Sequence, residues 1–421
     1  PAVTDPETAG DPGTPVIHPE LGDNIAFENG VEAGDVDAAF AAADLVVEET
    51  YHFDRHTGVT LEPRVLLADY DEADDKLTVH MSNQAPHMMQ HIFAKHVGVP
   101  EGQVRVICRD VGGSFGIKVH VYADEMATVA LSKMLGRPVK FAADRIESFL
   151  TDIHARAHRV HAKMGFTKDG DITAIEIDDL TGVGPYSMYP RTSAMEANQV
   201  LNFTGGPYKH QNYRAKAQVV FQNKNVMCQY RAVGHPVAFA VTEAILDKGA
   251  RVLEIDPVDI RRRNLITDDA YPTKGASGIA FEGLSHHASL DKLLASMDYA
   301  GMKAERDRLR EEGIYRGIGF AAMIELTNPG AAMYGIGGAR ISSQDGAQVR
   351  LDSSGSIVVH TSVTEQGQGT DAIMGQIAAT AFGTSPDRVK VITGDTDNVP
   401  TGGGTWGSRG AGIGGEAVLR A

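Results

Sequence analysis

The segment of residues 110–118 combines glycines with a serine and a phenylalanine, which suits a ligand-binding loop. Glycine lets a backbone approach a ligand closely, and a helix that follows such a loop directs N–H groups and the positive end of its dipole towards an anion. The spacing matches neither Gly-x-Gly-x-x-Gly nor a Walker loop, which argues against the common nucleotide folds. An ordinary strand-to-helix turn is the alternative. The candidate binding residues are Gly112, Gly113, Ser114, Phe115 and Gly116.

A second segment places two carboxamides beside glycines, between a predicted strand that ends near Thr364 and a predicted helix that starts near Asp371. Carboxamides both donate and accept hydrogen bonds, which suits the edges of heterocycles as well as phosphates. A simple polar turn is the alternative interpretation. The candidate binding residues are Gln366, Gly367, Gln368 and Gly369.

Glycines also dominate residues 401–410, which carry hydroxyl groups, one arginine and the only tryptophan of the chain. Hydroxyl and guanidinium donors on an open backbone suit a diphosphate, whereas a flexible linker would explain the glycines alone. The tryptophan and the arginine argue against a featureless linker. The candidate binding residues are Thr405, Ser408 and Arg409.

Two further side chains are candidates for a catalytic role. Arg231 lies beside Ala232 and Gly234, ahead of a strongly apolar helix, where a guanidinium can stabilise a developing anion in a pocket. A salt bridge is the more ordinary use of such an arginine. His56 likewise has two interpretations, a site residue or an ordinary surface or core histidine.

The charge of the chain argues against several kinds of partner. Lys and Arg total 39 and Asp and Glu total 55, a net charge of −16 that opposes binding to nucleic acid or to an anionic membrane. The apolar runs are too short for a membrane span. Two cysteines, Cys108 and Cys228, are too few for a disulfide framework or for an iron–sulfur cluster bound by this chain alone. The first residues lack the pattern of a signal peptide, so we expect a cytoplasmic protein.

Helix and strand patterns are interleaved along the chain, and its 421 residues suggest roughly two to three domains. We predict an extended polar lead-in over residues 1–35, followed by a first domain over residues 36–270. A second domain covers residues 285–421, because turn-forming Gly and Pro are concentrated between the two. One of its predicted strands is residues 317–325. Each domain contains a strand, a glycine-containing loop, a helix and a further strand.

Taken in order, four motifs resemble the molybdenum-binding subunits of the xanthine oxidase family. Each motif is short, so the order in which they occur carries the resemblance. Residues 83–84 and 393–396 also fit the family, and the resemblance extends over about residues 36–421. The four motifs are His56 with residues 61–63, residues 112–118, residues 230–234 and residues 366–369.

The resemblance implies an α+β protein with two elongated mixed α/β domains that enclose a molybdenum pyranopterin, in the cytosine dinucleotide form usual in bacteria. The pterin would hold the metal, so the chain itself would provide no metal ligand. The implied reaction is hydroxylation of a small-molecule substrate with oxygen derived from water. Electrons would leave through iron–sulfur clusters and FAD, carried by an iron–sulfur subunit and a flavin subunit. In such enzymes the cofactor performs the difficult step, and the protein supplies orientation and charge.

Position by position, the resemblance also implies roles for single residues. Phe115 would lie beside the molybdenum, His56 near its oxo ligand and Arg231 on the substrate side. Gln368 would form a hydrogen bond to the cofactor, and Ala232 would lie against it. The protein would thus orient cofactor and substrate with residues from all four motifs.

Two departures from the family pattern narrow the range of substrates that the resemblance implies. Val119 stands where purine-oxidising members have a substrate-binding glutamate. Ala232 stands where carbon monoxide dehydrogenases have a cysteine that is linked to the cofactor. An aromatic heterocycle or an aldehyde therefore fits this sequence better than xanthine or carbon monoxide.

The family's general-base glutamate lies in a Gly-Glu motif far beyond the second glycine loop, and Glu416 comes too early to be that residue. We therefore expect further sequence, on the same polypeptide or on a second molybdopterin-binding fragment as in nicotinate dehydrogenase. Two other functions stay open at this point. One is a non-catalytic assembly subunit of the same fold, and the other is a glycine-loop protein that binds a phosphorylated ligand without redox chemistry.

Overall fold

The computed structural model describes residues 2–329 and 343–421. The strands in these residues are β1 (Ile25–Ala33), β2 (Leu45–Phe53), β3 (Val65–Asp71), β4 (Lys76–Met81), β5 (Val104–Ile107), β6 (Val139–Ala142), β7 (His158–Phe166), β8 (Ile172–Gly182), β9 (Asn212–Val220), β10 (Thr273–Lys274), β11 (Ala280–Phe281), β12 (Ala347–Leu351), β13 (Ile357–Thr361) and β14 (Val389–Ile392). The α-helices are α1 (Val36–Ala41), α2 (Pro86–Val97), α3 (Ala123–Leu135), α4 (Arg145–Thr151), α5 (Met195–Phe203), α6 (His235–Val252), α7 (Pro257–Asn264), α8 (His286–Ser296), α9 (Tyr299–Glu311), α10 (Thr370–Phe382) and α11 (Gly415–Arg420). None of these helices combines the length and the apolar character needed to cross a membrane.

A five-stranded sheet with the order β1-β9-β8-β7-β2 forms the largest layer. Its strands pair antiparallel, except for the parallel pair β8–β9. Alternate residues of β7, namely Val160, Ala162 and Met164, are buried on one face, as the period of two of a strand requires. Helix α6 packs on this face, and its Val237 and Val241 belong to the same core.

A four-stranded sheet with the order β5-β4-β3-β6 carries helices α2 and α3 on one face. Its core joins Leu66 and Val79 of the strands to Phe93 of α2 and Val129 of α3, all fully buried. Strands β4 and β5 run parallel and are connected through α2. The loop of residues 110–118 therefore follows the end of β5 in this sheet.

A three-stranded sheet with the order β12-β13-β14 repeats part of this pattern. In both sheets an antiparallel hairpin is followed by a helix and by a strand that returns parallel to the second strand of the hairpin. The sequence indicated a strand, a glycine-containing loop, a helix and a further strand in each half but no register between the halves, so the two glycine-containing loops need not be counterparts. The counterpart of residues 364–369 is instead the short loop between β4 and α2, which contains Gln84.

The structure corrects two predictions about elements. Residues 1–35 are not only an extended lead-in, because β1 pairs with β9 along its length and Val3 and Ala9 are buried against Leu180. Residues 317–325 form no strand. Their burial does alternate, but their backbone bonds to side chains rather than to a neighbouring strand: Arg261 donates to the Phe320 oxygen (2.8 Å), and the Ala322 N–H donates to Glu243 (3.1 Å).

Candidate active site

Several segments that are distant in sequence line one cavity of about 590 Å³. They include the loop after β5, the turn before α6, the loop before α10 and the glycine-rich segment after β14. The predicted site residues that line the cavity are Ser114, Phe115, Gly116, Arg231, Ala232, Gln366, Gln368, Thr405 and Ser408. The predicted site residues outside the described lining are His56, Gly112, Gly113, Gly367, Gly369 and Arg409.

The loop after β5 presents Phe115 to the cavity through an unusual backbone conformation. Phe115 and Gly116 have φ angles of +54° and +99°. A Cβ on Gly116 would lie 2.9 Å from the carbonyl oxygen of Gln229, so only glycine fits there. The Gly116 N–H donates to Oε1 of Gln84 (3.0 Å), and the Phe115 carbonyl accepts from the N–H of Arg231 (2.9 Å). The loop is thus fixed against two other walls of the cavity.

The outer part of the same loop turns towards Glu62. The Gly112 N–H donates to Oε2 of Glu62 (2.6 Å), and the same oxygen accepts from Nζ of Lys118 (2.7 Å). The Lys118 side chain is completely buried, and burial lowers the pKa of its amine despite the carboxylate beside it. Gly112 therefore directs its N–H at a carboxylate of the protein and not at the cavity.

The turn before α6 carries Arg231 and Ala232. Ala232 has a φ of +65° and Gly234 one of +74°, and the Val233 N–H closes the turn on the Tyr230 oxygen (2.9 Å). The Arg231 guanidinium carbon lies 5.9 Å from the centre of the Phe115 ring. Within residues 2–329 and 343–421, no carboxylate is in salt-bridge range of Arg231. An uncompensated cation at a cavity wall is suited to an anionic group or to developing negative charge.

The loop before α10 is joined to the first glycine loop by a side-chain bond. The Ser114 hydroxyl donates to Oε1 of Gln366 (2.5 Å), while Nε2 of Gln366 donates to the Thr364 hydroxyl and to the Thr405 carbonyl oxygen (both 2.9 Å). Both the oxygen and the nitrogen of this carboxamide are therefore held by hydrogen bonds, which fixes its orientation. The sequence predicted both glycine loops, but their direct contact appears only in the structure.

The carboxylate of Glu365 accepts hydrogen bonds from the backbone N–H groups of this loop, which the glycine pattern had suggested for binding a ligand. Its carboxylate accepts from the N–H groups of Gln366 (3.0 Å), Gly367 (2.8 Å), Gly369 (3.1 Å) and Asp371 (3.0 Å). Burial raises the pKa of Glu365, but these four bonds outweigh that effect and hold it below its usual range. The Gln368 side chain also bonds within the loop, to the Gln366 N–H (2.7 Å) and to the Thr370 hydroxyl (2.7 Å).

Gln84 connects the first sheet to the glycine-rich segment after β14. Its backbone carbonyl oxygen accepts from the Thr405 N–H (3.0 Å) and from the Thr364 hydroxyl (2.9 Å). Its side-chain Nε2 donates to the Thr405 carbonyl oxygen (2.9 Å). Gly404 has a φ of +79°, and a Cβ there would lie 2.2 Å from the Gln84 oxygen. Gln84 fitted the family pattern in the sequence, but no role could be assigned to it.

Arg409 lies in the interior beside the cavity. Its guanidinium binds Asp345 through Nε (3.1 Å) and Nη2 (2.7 Å), and both side chains are completely buried. The adjacent Trp406 does line the cavity, and the Arg191 guanidinium stacks 4.0 Å from the centre of its ring. Thr405 and Ser408 of this segment line the cavity, whereas Arg409 is buried outside the described lining.

His56 lies behind Tyr230 and not in the described lining. Its backbone forms two hydrogen bonds with Ala155, and its ring meets the Tyr230 ring edge-on at 5.2 Å. Burial lowers the pKa of His56, and the nearby Arg156 lowers it further. The neutral ring therefore packs against a residue that lines the cavity.

The structure adds lining residues that the sequence did not reveal. Arg191, Gln199 and Gln229 come from segments without glycine-rich motifs. Glu325 provides the only carboxylate among the described lining residues, and it belongs to the segment that was predicted as a strand. Such residues carry no local signal, because only the fold brings them to the cavity.

The lining fits a pterin better than it fits a simple phosphate. Fixed carboxamides such as Gln84 and Gln366 offer donors and acceptors in the plane of a heterocycle, while Phe115, Tyr230 and Trp406 offer aromatic surface. A volume of about 590 Å³ lies within the range of small-molecule and cofactor pockets.

Comparisons with known proteins agree with this chemistry. Residues 17–265 match a family model described as molybdopterin cofactor-binding domain, and residues 292–421 match a second model of that description. The chain is 33% identical over 410 residues to the nicotine 6-hydroxylase large subunit of Paenarthrobacter nicotinovorans, covering 97% of this chain and 50% of that protein. It is 29% identical over 444 residues to the carbon monoxide dehydrogenase large chain of Hydrogenophaga pseudoflava, covering 100% and 54%. The chain thus spans about half the length of these relatives.

A solved structure gives the same result for the fold. The chain superposes on quinoline 2-oxidoreductase from Pseudomonas putida 86 with a TM-score of 0.93 at 29% identity, covering 99% of this chain and 53% of that one. The predicted α+β fold of the molybdopterin-binding type is confirmed. A glycine-loop protein without redox chemistry gains no support from any of these matches. This chain belongs to the molybdopterin cofactor-binding domain family.

Proposed function

We propose that the cavity binds a molybdenum pyranopterin and that the chain contributes the catalytic site of an enzyme that oxidises an aromatic heterocycle or an aldehyde. The observation that supports a catalytic site most directly is Arg231, a guanidinium without a carboxylate partner in the described residues, beside the exposed Phe115 ring. A non-catalytic assembly subunit would not require a guanidinium at this position of the cavity. The proposal therefore gives Arg231 the stabilisation of negative charge on the substrate.

The other lining residues would bind and orient. The carboxamides of Gln84 and Gln366 are held by hydrogen bonds to the protein, and each can form a further hydrogen bond to the edge of the pterin. Phe115 and Val119 would exclude water around the substrate. When bound, the cofactor supplies the two-electron redox chemistry. The roles of Gln368, Ala232 and Thr405 as cofactor contacts are part of the same proposal.

The finer features of the cofactor and its partners are also proposals. Ser408 and Thr405 line the cavity within the glycine-rich segment and suit the diphosphate of a cytosine dinucleotide form. We expect an iron–sulfur subunit and a flavin subunit to accept the electrons, and a second molybdopterin-binding portion to supply a general-base glutamate. Two of the relatives are a large subunit and a large chain, which supports an assembly of several subunits.

The substrate class follows from the apolar part of the lining. Val119 offers no hydrogen bond through its side chain, so the polar edge of a purine there would lose about 1–3 kcal/mol per unpaired group. Ala232 offers no thiolate to hold a second metal. A ring or chain with one polar end near Arg231 is the better fit. Xanthine and carbon monoxide are therefore not expected to be the physiological substrates.

The native complex provides the test. Elemental analysis should find about one molybdenum per copy of the chain. Steady-state assays with xanthine, carbon monoxide, nicotinate and an aromatic aldehyde should give the highest kcat/KM for one of the last two. Background molybdenum in an active complex would overturn the cofactor assignment, and a higher kcat/KM for xanthine or carbon monoxide would overturn the substrate class.

A further inference from the structure

A buried ion pair outside the cavity lining holds the turn that carries Arg231. Nη2 of Arg156 donates to the carbonyl oxygen of Arg231 (2.6 Å). Nη1 of Arg156 binds Oε1 of Glu196, and the Arg156 N–H donates to Oε2 of the same carboxylate (3.0 Å). The two side chains are only 6% and 7% exposed. One guanidinium therefore connects a carboxylate to the backbone of the turn.

The same carboxylate reaches the far end of the turn. Oε1 of Glu196 accepts from the N–H of Gly234 (3.3 Å), so the pair contacts the turn at both Arg231 and Gly234. Between them, Ala232 adopts a φ of +65°, which is unfavourable for a residue with a Cβ. Such a conformation persists only where the surroundings fix it. The contacts of Arg156 and Glu196 supply that constraint.

A second pair of charges lies behind the first. Nδ1 of His158 is 2.8 Å from Oδ1 of Asp179, and Nε2 of His158 is 3.8 Å from Oε2 of Glu196. His158 and Asp179 are completely buried. Charges are costly to bury unless they are paired, and removal of one partner leaves the other uncompensated. His158 therefore gives Glu196 a second charged neighbour besides Arg156.

We propose that Arg156 and Glu196 are positioning residues, which hold the turn of residues 231–234 so that the Arg231 guanidinium faces the cavity. This inference rests on the proposed function of Arg231. The pair touches neither the substrate nor the cofactor site, because both residues are outside the described lining. Lysine cannot replace Arg156, because the two Nη atoms bind in two directions and an ammonium on a flexible stem has no such fork.

The test compares Arg156→Lys with Arg64→Lys in the native complex. Arg64 is also completely buried and binds Asp124, Glu125 and Asp152, none of which is among the described lining residues. Arg156→Lys should lower kcat by about tenfold or more with a smaller change in KM, because misplacement acts mainly on the transition state. Hydrogen exchange, followed by mass spectrometry, should become about tenfold faster in residues 229–235. Arg64→Lys should lower Tm without either effect.

A second variant covers the case in which Arg156→Lys does not fold. Glu196→Gln keeps the size and one oxygen acceptor but loses the charge that pairs with Arg156, and it should accelerate exchange in the same segment. Wild-type exchange in residues 229–235 together with wild-type kcat, in whichever variant folds, would overturn the inference. Because exchange is read without turnover, a complex that lacks molybdenum would refute the proposed function but leave this result interpretable.

Discussion

Arg231 differs from the other arginines around the cavity. Arg156 pairs with Glu196, Arg409 pairs with Asp345, and Arg191 stacks on Trp406. These three guanidinium groups contact other protein side chains, whereas the described residues offer Arg231 no carboxylate. The sequence could not make this distinction, because all four arginines have glycine, proline or small residues nearby.

We expect Arg231→Lys to lower kcat by about tenfold or more and to leave the molybdenum content of the native complex unchanged. A planar fork that stabilises charge in the transition state is not replaced by a point ammonium. Steady-state kinetics and elemental analysis provide the measurements. Arg350→Lys, at a side chain that is 62% exposed, is the control and should match the wild type. A folded Arg231→Lys protein that has lost its molybdenum would instead make Arg231 a cofactor ligand.

The residues that could be predicted are those inside compositional motifs. Phe115, Gly116 and Gln366 were recognised because glycine loops mark places of close backbone approach. Gln84 was not assigned a role, since its partner Thr405 is 321 residues away in sequence. Arg156 was missed for the same reason, because its contact with Arg231 depends on the packing of two segments and not on a local pattern.

At the scale of the helix, the carboxylate of Glu365 binds the N–H groups at the amino-terminal end of α10, where a bound anion could otherwise lie. We expect Glu365→Gln to lower the free energy of unfolding by about 1 kcal/mol, because the carboxamide is uncharged and has only one acceptor oxygen for N–H groups that bind both carboxylate oxygens. Differential scanning calorimetry of the complex would measure the change. Glu416→Gln, in the exposed first turn of α11, is the control and should have less effect. An equal loss in both variants would contradict a special role for Glu365.

Strands β7 and β8 carry a pH-dependent pair. Burial alone would lower the pKa of His158, but Asp179 on β8 and Glu196 on α5 outweigh burial and raise it to about 9. Arg156, which pairs with Glu196, is the nearby positive charge. The protonated form therefore stabilises the fold fully below about pH 6.5, and this contribution of roughly 3 kcal/mol is lost as the pH rises through 9. Thermal unfolding between pH 6 and 10 should show the loss, and His158→Gln should flatten it. A wild-type Tm that is constant over this range would contradict the prediction.

Local patterns predicted the elements with strong periodicity and failed where tertiary contacts decide. The sequence pattern predicts a strand over residues 45–53 and helices over residues 86–97 and 257–264, and β2, α2 and α7 have these bounds. Strand β1 was missed because Asn29-Gly30 and its acidic residues are typical of a turn, yet pairing with β9 keeps this segment extended. Residues 317–325 have the alternation of a strand, but the buried pair of Glu243 and Arg261 takes the place of a neighbouring strand.

At the scale of the whole molecule, two similar units meet at the cavity. Each consists of a hairpin, a helix and a parallel strand, and the loops before α2 and α10 contact each other through Gln84 and Thr364. Behind the cavity the units are also joined, since the Cys108 N–H donates to the Gly394 oxygen at 2.6 Å. Both units are therefore needed to form the cavity.

We expect Gln84→Met to reduce the molybdenum content of the complex by about fivefold or more. The apolar side chain leaves the Gly116 N–H without its acceptor, which costs about 1–3 kcal/mol. It also removes one of the two bonds to the Thr405 oxygen, which Nε2 of Gln366 still binds. Elemental analysis per chain is the measurement. Gln90→Met removes a comparable bond, to the Val104 oxygen, at a site away from the cavity and serves as the control. Equal molybdenum in both variants would contradict the role of Gln84 at this junction.

The contact between Gln84 and Thr405 also has a consequence for biosynthesis. A ribosome that adds roughly 5–20 residues per second needs roughly 15–60 s to travel between the codons for these two residues. During that time the first unit can fold, but its half of the cavity faces water without the wall that carries Thr405. The pocket closes only when the second unit docks, so cofactor insertion has to follow translation of the glycine-rich segment.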